Sequence, residues 1–522
     1  MPLNRRVFIG SLAAALPLRA QKPGVEVTVN LDQEIATINP LIYGHFAEHI
    51  GRVIYEGAWV GSDSEIANQD GYRLDALNAL KRIKPSIIRW PGGCFADTYH
   101  WEDGVGPVED RPPRTNHWWK REEPNTFGTA EFIRWCRLLG AEPYPSVNVG
   151  TGTISEALNW LDYCNGTKDT GYAGLRRSHG QAEPYGVNWW GIGNENWGCG
   201  GLFTPEEFAQ QYRQYAVYFK RLGLTQGLQL VAAGHNAPGW NAKFLQAVGP
   251  GLPYLDHVSF HRYFRRGHST GFSDGEYLDL MLDVGDFEKL IQESIQAIDQ
   301  VEPFRAKMRL FGPLKPKPIG LVIDEWGAWH SDPVIEEGFA QRGVLREAIF
   351  AASCLNLFHQ YAQRITMTNI AQVANCLHAL ILTEGSKMAL TPTFHVYEMY
   401  RAHQGGRAIW TEMKNAPLIG REKRSRPSIS VSASRSGREV LLTLVNQDPT
   451  NPAEAAVDLL GGDVEEATGK SLSGPSVRAE NAVENPEAVV PVKAEIRVES
   501  GQLRLHLPPG SVQAVTVRLQ GA

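Results

Sequence analysis

Short apolar runs alternate with longer helical patterns between residue 40 and about residue 390. Uninterrupted apolar runs of this length suit parallel strands that are buried on both faces. The predicted strands are Leu41–Phe46, Ser86–Arg89, Tyr144–Val149, Val187–Gly193, Leu228–Ala233, His257–Phe260, Ile319–Asp324 and Ile365–Asn369. Eight strand–helix units in roughly 350 residues predict an α/β protein built on a (β/α)8 TIM barrel.

Helical periodicity separates these strands. The clearest helix covers Pro205–Leu222, where Thr204 supplies an N-cap and the proline occupies the first helical position. Equally periodic helices are predicted over Phe287–Val301 and Val344–Ala362.

The pattern changes after Tyr400 to a period-two alternation of apolar and polar residues. This alternation predicts strands over Ser428–Ala433, Glu439–Val445, Gln502–Leu507 and Val512–Leu519. Short alternating strands joined by turns predict a C-terminal antiparallel β-sandwich domain. We therefore expect a barrel over residues 40–395 and a sandwich over residues 396–522. An N-terminal strand within residues 21–39 is expected to join the sandwich.

The first residues resemble an export signal. Arg5 and Arg6 precede a short apolar run, and Ala20 places a small residue before a cleavage point. This pattern is typical of a bacterial twin-arginine signal peptide over residues 1–20. It predicts a periplasmic or secreted protein without a membrane segment after cleavage.

Composition narrows the class of partner. The chain of 522 residues is 43% hydrophobic, and 51 Lys and Arg against 57 Asp and Glu give a net charge of −6. Such a balance offers no basic surplus for nucleic acid. The six cysteines show no C-x-x-C spacing, which argues against a structural zinc site and a disulfide scaffold. Whether any two cysteines pair is left open.

The strand ends carry the candidate chemistry, because TIM-barrel active sites lie at the carboxyl ends of the strands. Glu195 follows predicted strand 4 and Glu325 follows predicted strand 7. Two carboxylates on opposite sides of a barrel mouth suit glycoside hydrolysis, in which one is the acid/base and the other the nucleophile. The alternative is that each glutamate is only a salt-bridge partner at its strand end.

Six motifs in order resemble glycoside hydrolase family 51. They are Tyr43–Arg52, Arg89–Phe95, Tyr99–Pro107, Gly193–Gly198, Asp324–Trp326 and Leu390–Val396. The family consists chiefly of α-L-arabinofuranosidases, which retain anomeric configuration. The resemblance implies release of terminal arabinofuranosyl residues from an arabinose-containing oligo- or polysaccharide such as arabinan or arabinoxylan. It also implies a homo-oligomer, frequently a hexamer.

The resemblance also assigns roles by position. Glu195 matches the acid/base and Glu325 the nucleophile, while Asn194 matches the residue that binds the sugar 2-OH. The other positions that match the family's site are Glu48, Arg89, Cys94, Tyr263 and Gln372. No metal and no cofactor are expected. The histidines near the strand ends, His45, His49, His100 and His261, lack the spacing of a known metal motif.

Two alternatives to the function remain at this stage. One is another retaining glycosidase of the same clan, such as a β-xylosidase or an endo-glucanase. The other is an inactive barrel that only binds carbohydrate. Trp118 and Trp119 either stack on a sugar or pack within their loop.

Overall fold

A closed barrel of eight parallel strands forms the centre of the protein, in which strand 8 pairs with strand 1. The computed structural model describes residues 24–221, 227–308 and 317–521. We number the barrel strands 1 to 8 in chain order: Gly44–Phe46, Ile87–Trp90, Glu142–Val147, Trp189–Ile192, Gln229–Ala232, His257–Phe264, Gly320–Ala328 and Ile365–Ala371. The predicted TIM barrel is therefore confirmed.

Helices connect successive barrel strands. Within the described ranges they are Leu74–Ile83, Thr129–Leu139, Ile154–Asn165, Gly171–Ser178, Pro205–Arg221, Trp240–Val248, Asp274–Arg305, Leu345–Gln360 and Pro392–Tyr400. The helix predicted from Phe287 begins earlier, because Ser273 and Glu276 cap each other's backbone amides at 3.2 and 2.7 Å. No helix among these described residues has the length and hydropathy that a membrane span requires.

Buried side chains fill the interior of the barrel rather than leaving a channel. One small cluster consists of Ile87, Tyr144, Val231, Val322 and Met367, which come from strands 2, 3, 5, 7 and 8. Such layers give the barrel a packed core below its carboxyl-terminal mouth. The polar residues at the strand ends therefore rest on a rigid base.

The second sheet contains ten strands and forms the C-terminal domain. In spatial order the strands are Val492–Lys493, Val464–Leu472, Ser511–Leu519, Glu439–Asn446, Ile429–Ser436, Arg407–Lys414, Val25–Thr37, Ala453–Leu460, Gln502–Leu507 and Ile496–Glu499. Alternate residues from most of these strands share one apolar core. This arrangement confirms the β-sandwich.

The N-terminal strand Val25–Thr37 lies in the middle of this sheet. It pairs antiparallel with Arg407–Lys414 and parallel with Ala453–Leu460. The parallel pair departs from a purely antiparallel sandwich. A strand from the far end of the chain is not bound by a hairpin turn, so it enters the sheet in either direction.

The sandwich packs on the barrel through helix Leu345–Gln360. His359 lies within hydrogen-bond distance of Tyr43 Oη on the barrel side and Ser432 Oγ on the sheet side, both at 2.9 Å. Leu441 and Val512 of the sheet also join the apolar core of the barrel. The two domains therefore share a buried interface of mixed polarity.

Candidate active site

Two glutamates meet at the carboxyl ends of the barrel strands. Glu195 follows strand 4 and Glu325 lies in strand 7, and carboxylate oxygens of the two lie within 4.8 Å of each other. The Glu325 side chain is 5% exposed and the Glu195 side chain is 21% exposed. The fold therefore brings together the two carboxylates on which the sequence hypothesis depends.

A tight turn presents Glu195. Gly193 has φ +81° and Glu195 has φ +36°, both in the left-handed region. A Cβ at Gly193 would lie 2.1 Å from Asn196 Oδ1, so only glycine fits there. The amides of Gly198 and Gly200 donate to the Glu195 carbonyl at 2.6 and 3.1 Å and close the loop behind the glutamate.

Two donors hold the Glu325 carboxylate. Arg89 Nη1 donates to one oxygen at 2.6 Å and Tyr263 Oη donates to the other at 2.7 Å. Burial and the charge of Glu325 hold the pKa of Tyr263 well above its ordinary value, so the phenol keeps its proton. The two donors therefore fix the orientation of both oxygens of the Glu325 carboxylate.

Arg89 links both glutamate-bearing strands from strand 2. Its Nη2 donates to Asn194 Oδ1 at 2.6 Å, and its Nε lies 3.7 Å from Asp324 Oδ2. Burial opposes the charged form, but Asp324 and Glu325 together raise the pKa of Arg89 above its ordinary value. The guanidinium is thus a fixed positive charge that also orients the Asn194 amide.

His261 stands between the two glutamates. Its Nδ1 lies 2.9 Å from Glu195 Oε1 and 3.4 Å from Glu325 Oε1. Although burial lowers the pKa of His261, Glu325 and Glu195 raise it above its ordinary value overall. In the sequence, His261 is only one of four histidines near the strand ends that lack the spacing of a metal motif. The sequence signal for a role in the site was that His261 lies two residues before Tyr263, at the end of the same strand.

Glu48, after strand 1, forms another part of the site. Its Oε1 accepts from Trp119 Nε1 at 2.9 Å, and its backbone amide donates to Gln372 Oε1 at 3.0 Å. Burial, followed by the charge of Glu325, raises the pKa of Glu48 to about 8. Gln372 Nε2 is buried without a partner among the described residues. The Trp119 indole nitrogen faces Glu48, so this residue packs into the wall of the site.

Two features at the end of strand 2 were not predicted. Cys94 forms a disulfide with Cys199, a pairing that the sequence left open. Asp97 is buried, and its Oδ2 accepts from Asn194 Nδ2 at 3.4 Å while its Oδ1 has no partner among the described residues. Burial holds the pKa of Asp97 well above its ordinary value. The sequence signal for a role of Asp97 in the site was its position three residues after Cys94, near the end of strand 2.

Among the described residues, two groups of side chains have the spacing of metal ligands. Cys94, Cys199 and Glu195 form one group, and Glu195, His261 and Glu325 form the other. The sulfurs of the first group are bonded to each other. In the second group the Arg89 cation already contacts Glu325 at 2.6 Å, which disfavours a second cation. We assign no metal to either group.

A barrel that brings two glutamates together at its strand ends, with an arginine against one of them, defines a glycoside hydrolase. Residues 79–271 match the family model of the α-L-arabinofuranosidase 1 domain, and residues 324–511 match that of the α-L-arabinofuranosidase C-terminal domain. An intracellular exo-α-L-arabinofuranosidase of Bacteroides ovatus is 36% identical over 98% of both chains. The chain belongs to glycoside hydrolase family 51 and is an α-L-arabinofuranosidase.

Solved structures of the family agree with this assignment. The family 51 arabinofuranosidase of Xanthomonas axonopodis pv. citri superposes with a TM-score of 0.88 at 33% identity, covering 95% of this chain and 100% of that one. The Thermotoga maritima α-L-arabinofuranosidase in complex with arabinose gives 0.85 at 33% identity and the same coverage. The substrate is accordingly an arabinose-containing glycan.

The predicted export of the protein is wrong. The Bacteroides ovatus relative, which aligns over 98% of both chains, is named an intracellular enzyme, and this contradicts a periplasmic or secreted location. The predicted signal, residues 1–20, lies outside the described residues. Paired arginines before a short apolar run form a pattern of low specificity, which explains the error.

Proposed function

We propose that this α-L-arabinofuranosidase is a retaining, exo-acting enzyme that works by double displacement. The spacing of the carboxylates supports this, because oxygens of Glu195 and Glu325 lie within 4.8 Å. Retaining glycosidases hold their carboxyl groups about 5–5.5 Å apart, whereas inverting enzymes leave room for a water molecule between them. The name of the Bacteroides ovatus relative supports exo action on terminal residues.

Glu325 is the proposed nucleophile. Arg89 and Tyr263 donate to its two carboxylate oxygens and fix their orientation, so one oxygen is placed to attack the anomeric carbon of the arabinofuranose. Glu195 is the proposed acid/base, and its partly exposed carboxyl group reaches the glycosidic oxygen from the solvent side. It gives a proton to the departing oxygen and then takes one from the water that hydrolyses the intermediate.

The remaining site residues form the proposed sugar pocket. Asn194 is held by Arg89 and contacts the 2-OH, a bond that strengthens in the transition state. Gln372 offers its unpartnered Nε2 as a donor. Glu48, which is protonated below about pH 8, both donates to and accepts from sugar hydroxyls. Cys94 lines the same wall through its disulfide.

Substitution of each glutamate tests these roles. Glu325→Ala removes the nucleophile and should abolish turnover of p-nitrophenyl α-L-arabinofuranoside.

Glu195→Ala should leave formation of the intermediate from a 2,4-dinitrophenyl arabinofuranoside nearly intact, because this leaving group departs without a proton. With a sugar leaving group, the same step should slow by roughly 10²–10⁴-fold. Added azide should rescue turnover and give an arabinosyl azide of retained configuration.

Other outcomes would change the proposal. Equal losses on both substrates without azide rescue would move the acid/base role away from Glu195, and an inverted product would exclude double displacement. A panel of arabinan, arabinoxylan and arabino-oligosaccharides, with the β-xyloside and β-glucoside as controls, identifies the natural substrate. The hexamer that the family resemblance implies stays a prediction, which light scattering on the purified protein tests.

A further inference from the structure

The Cys94–Cys199 disulfide joins two parts of the site. Cys94 lies four residues after the end of strand 2, and Cys199 lies in the loop after strand 4, four residues beyond Glu195. Both cysteines are half-buried, so a small thiol reagent reaches them. The other four cysteines, Cys136, Cys164, Cys354 and Cys376, are buried free thiols. The disulfide therefore occupies the accessible position next to the proposed acid/base.

Apart from the 2.9 Å contact between Glu195 Oε1 and His261 Nδ1, few contacts tie the loop that carries Glu195 to other strands. Most of its hydrogen bonds are internal, such as Phe203 N to Asn196 O at 2.7 Å. Trp197 Nε1 donates to Gly234 O at 2.9 Å and ties the loop to the end of strand 5. On the opposite side the disulfide ties it to strand 2. Gly198, Gly200 and Gly201 give the segment wide conformational freedom once that covalent link is gone.

Glu195 itself needs this support. Its φ of +36° is unusual for a residue with a side chain, and such a conformation persists only where the surroundings over-determine it. Cys199 Sγ lies 3.7 Å from Glu195 Oε2, so the bridge also packs against the carboxyl group. Breaking the bridge removes a backbone restraint and frees the Cys199 side chain that packs against the Glu195 carboxyl group.

We propose that Cys94 and Cys199 are positioning residues whose disulfide holds the Glu195 carboxyl group in place for proton transfer, and that its reduction slows catalysis reversibly. This inference rests on the proposed role of Glu195. A dithiol such as dithiothreitol supplies two electrons and two protons: the S–S bond breaks, two cysteine thiols form, and the dithiol becomes its cyclic disulfide.

A loss of positioning has a specific kinetic signature. The parameter kcat/KM reports formation of the glycosyl-enzyme, which needs a proton from Glu195 only when the leaving group is a sugar or a poor phenol. A displacement of about 1 Å is enough to cost about 100-fold. We therefore expect reduction to lower kcat/KM for an arabino-disaccharide by roughly 10–100-fold. The value for the 2,4-dinitrophenyl arabinofuranoside should change less than about twofold.

Wild-type enzyme tests this without any substitution. Thiols are counted after denaturation: four are expected before treatment with dithiothreitol and six after it. Both substrates are assayed in each state, and glutathione disulfide is then added to restore the bridge and the rate. Six thiols in fully active, air-oxidised enzyme would overturn the proposal. Equal loss on both substrates would also overturn it, because that result indicates only a structural role.

Cys199→Ser provides the matched variant. It should reproduce the selective loss on the disaccharide and no longer respond to dithiothreitol, while thermal unfolding shows whether the fold persists. A variant as active as oxidised wild type on the disaccharide would contradict the proposal. If oxidised wild type releases no arabinose from any arabinofuranoside, the proposed function has failed instead, so the two failures are distinguishable.

Discussion

Asp97 is a buried carboxyl group in contact with Asn194 of the proposed sugar pocket. It accepts from Asn194 Nδ2 at 3.4 Å, and its second oxygen has no partner among the described residues. Burial holds its pKa well above the ordinary value, and the nearby Glu195 charge adds to this effect. Burial therefore favours the uncharged form of Asp97, whose Oδ2 orients Asn194 as an acceptor.

We expect Asp97→Asn to keep kcat/KM within about threefold of wild type, because an amide has the shape of the uncharged acid that burial favours and still accepts from Asn194. Asp97→Ala should lower kcat/KM about tenfold, since a lost buried hydrogen bond is worth about 1–2 kcal/mol. Steady-state assays with p-nitrophenyl α-L-arabinofuranoside measure both values. Asp103→Asn, in the surface ion pair with Arg114, is the control. A severe loss in Asp97→Asn would show that the residue works as an anion.

Among the secondary-structure elements, a small hairpin positions one wall of the site. Strands Arg114–Asn116 and Arg121–Glu123 pair antiparallel and carry Trp119 between them. Glu123 Oε2 lies 2.6 Å from His49 Nδ1 and fixes the base of the hairpin. The hairpin therefore delivers the Trp119 indole N–H to Glu48 from outside the barrel.

Trp119→Phe keeps an aromatic ring against Phe339, which Trp119 contacts edge-on at 5.3 Å, but removes the donor to Glu48. A lost net hydrogen bond of about 1 kcal/mol predicts a KM about fivefold higher. Because this contact serves substrate and transition state alike, kcat should change less than about twofold. Trp410→Phe, on the sandwich surface, should change neither constant. A large fall in kcat instead would give Trp119 a role in the reaction itself.

Sequence patterns predicted the strands because buried parallel strands are continuous apolar runs. The predicted strand 6 ends at Phe260, whereas the observed strand continues to Phe264. The prediction stopped early because the polar residues His261 and Tyr263, which point into the site, interrupt the apolar pattern. The sequence could not predict the pairing of Cys94 with Cys199, because a disulfide requires two cysteines to lie close in space and these are 105 positions apart in the chain. The same holds for His261, whose two partners come from other strands.

At the scale of the whole molecule, a buried histidine joins the two domains. Burial lowers the pKa of His359 to about 3, from an ordinary value of about 6.5. The unfolded chain therefore binds a proton at this site between about pH 6.5 and pH 3 while the folded protein does not. The contribution of neutral His359 is present above pH 6.5 and is lost as the pH falls through this window.

Replacing His359 should flatten the acid dependence of stability. Between about pH 6 and pH 4, His359 makes the free energy of unfolding fall by about 1.4 kcal/mol for each unit that the pH falls, and His359→Gln should remove this part of the slope. Thermal unfolding across that range compares the slopes of wild type and variant. His506→Gln, an exposed histidine on the sandwich paired with Glu454, should leave the slope unchanged. Identical slopes for wild type and His359→Gln would place the acid sensitivity elsewhere.

The strand Val25–Thr37 has a consequence for synthesis on the ribosome. It emerges before any part of the barrel, yet both of its sheet partners, Arg407–Lys414 and Ala453–Leu460, are among the last segments translated. Throughout that interval its backbone edges have no native partner and are open to pairing with other nascent chains. Exposed Glu26, Asp32 and Glu34 place negative charge along it, which opposes such pairing until the C-terminal half arrives.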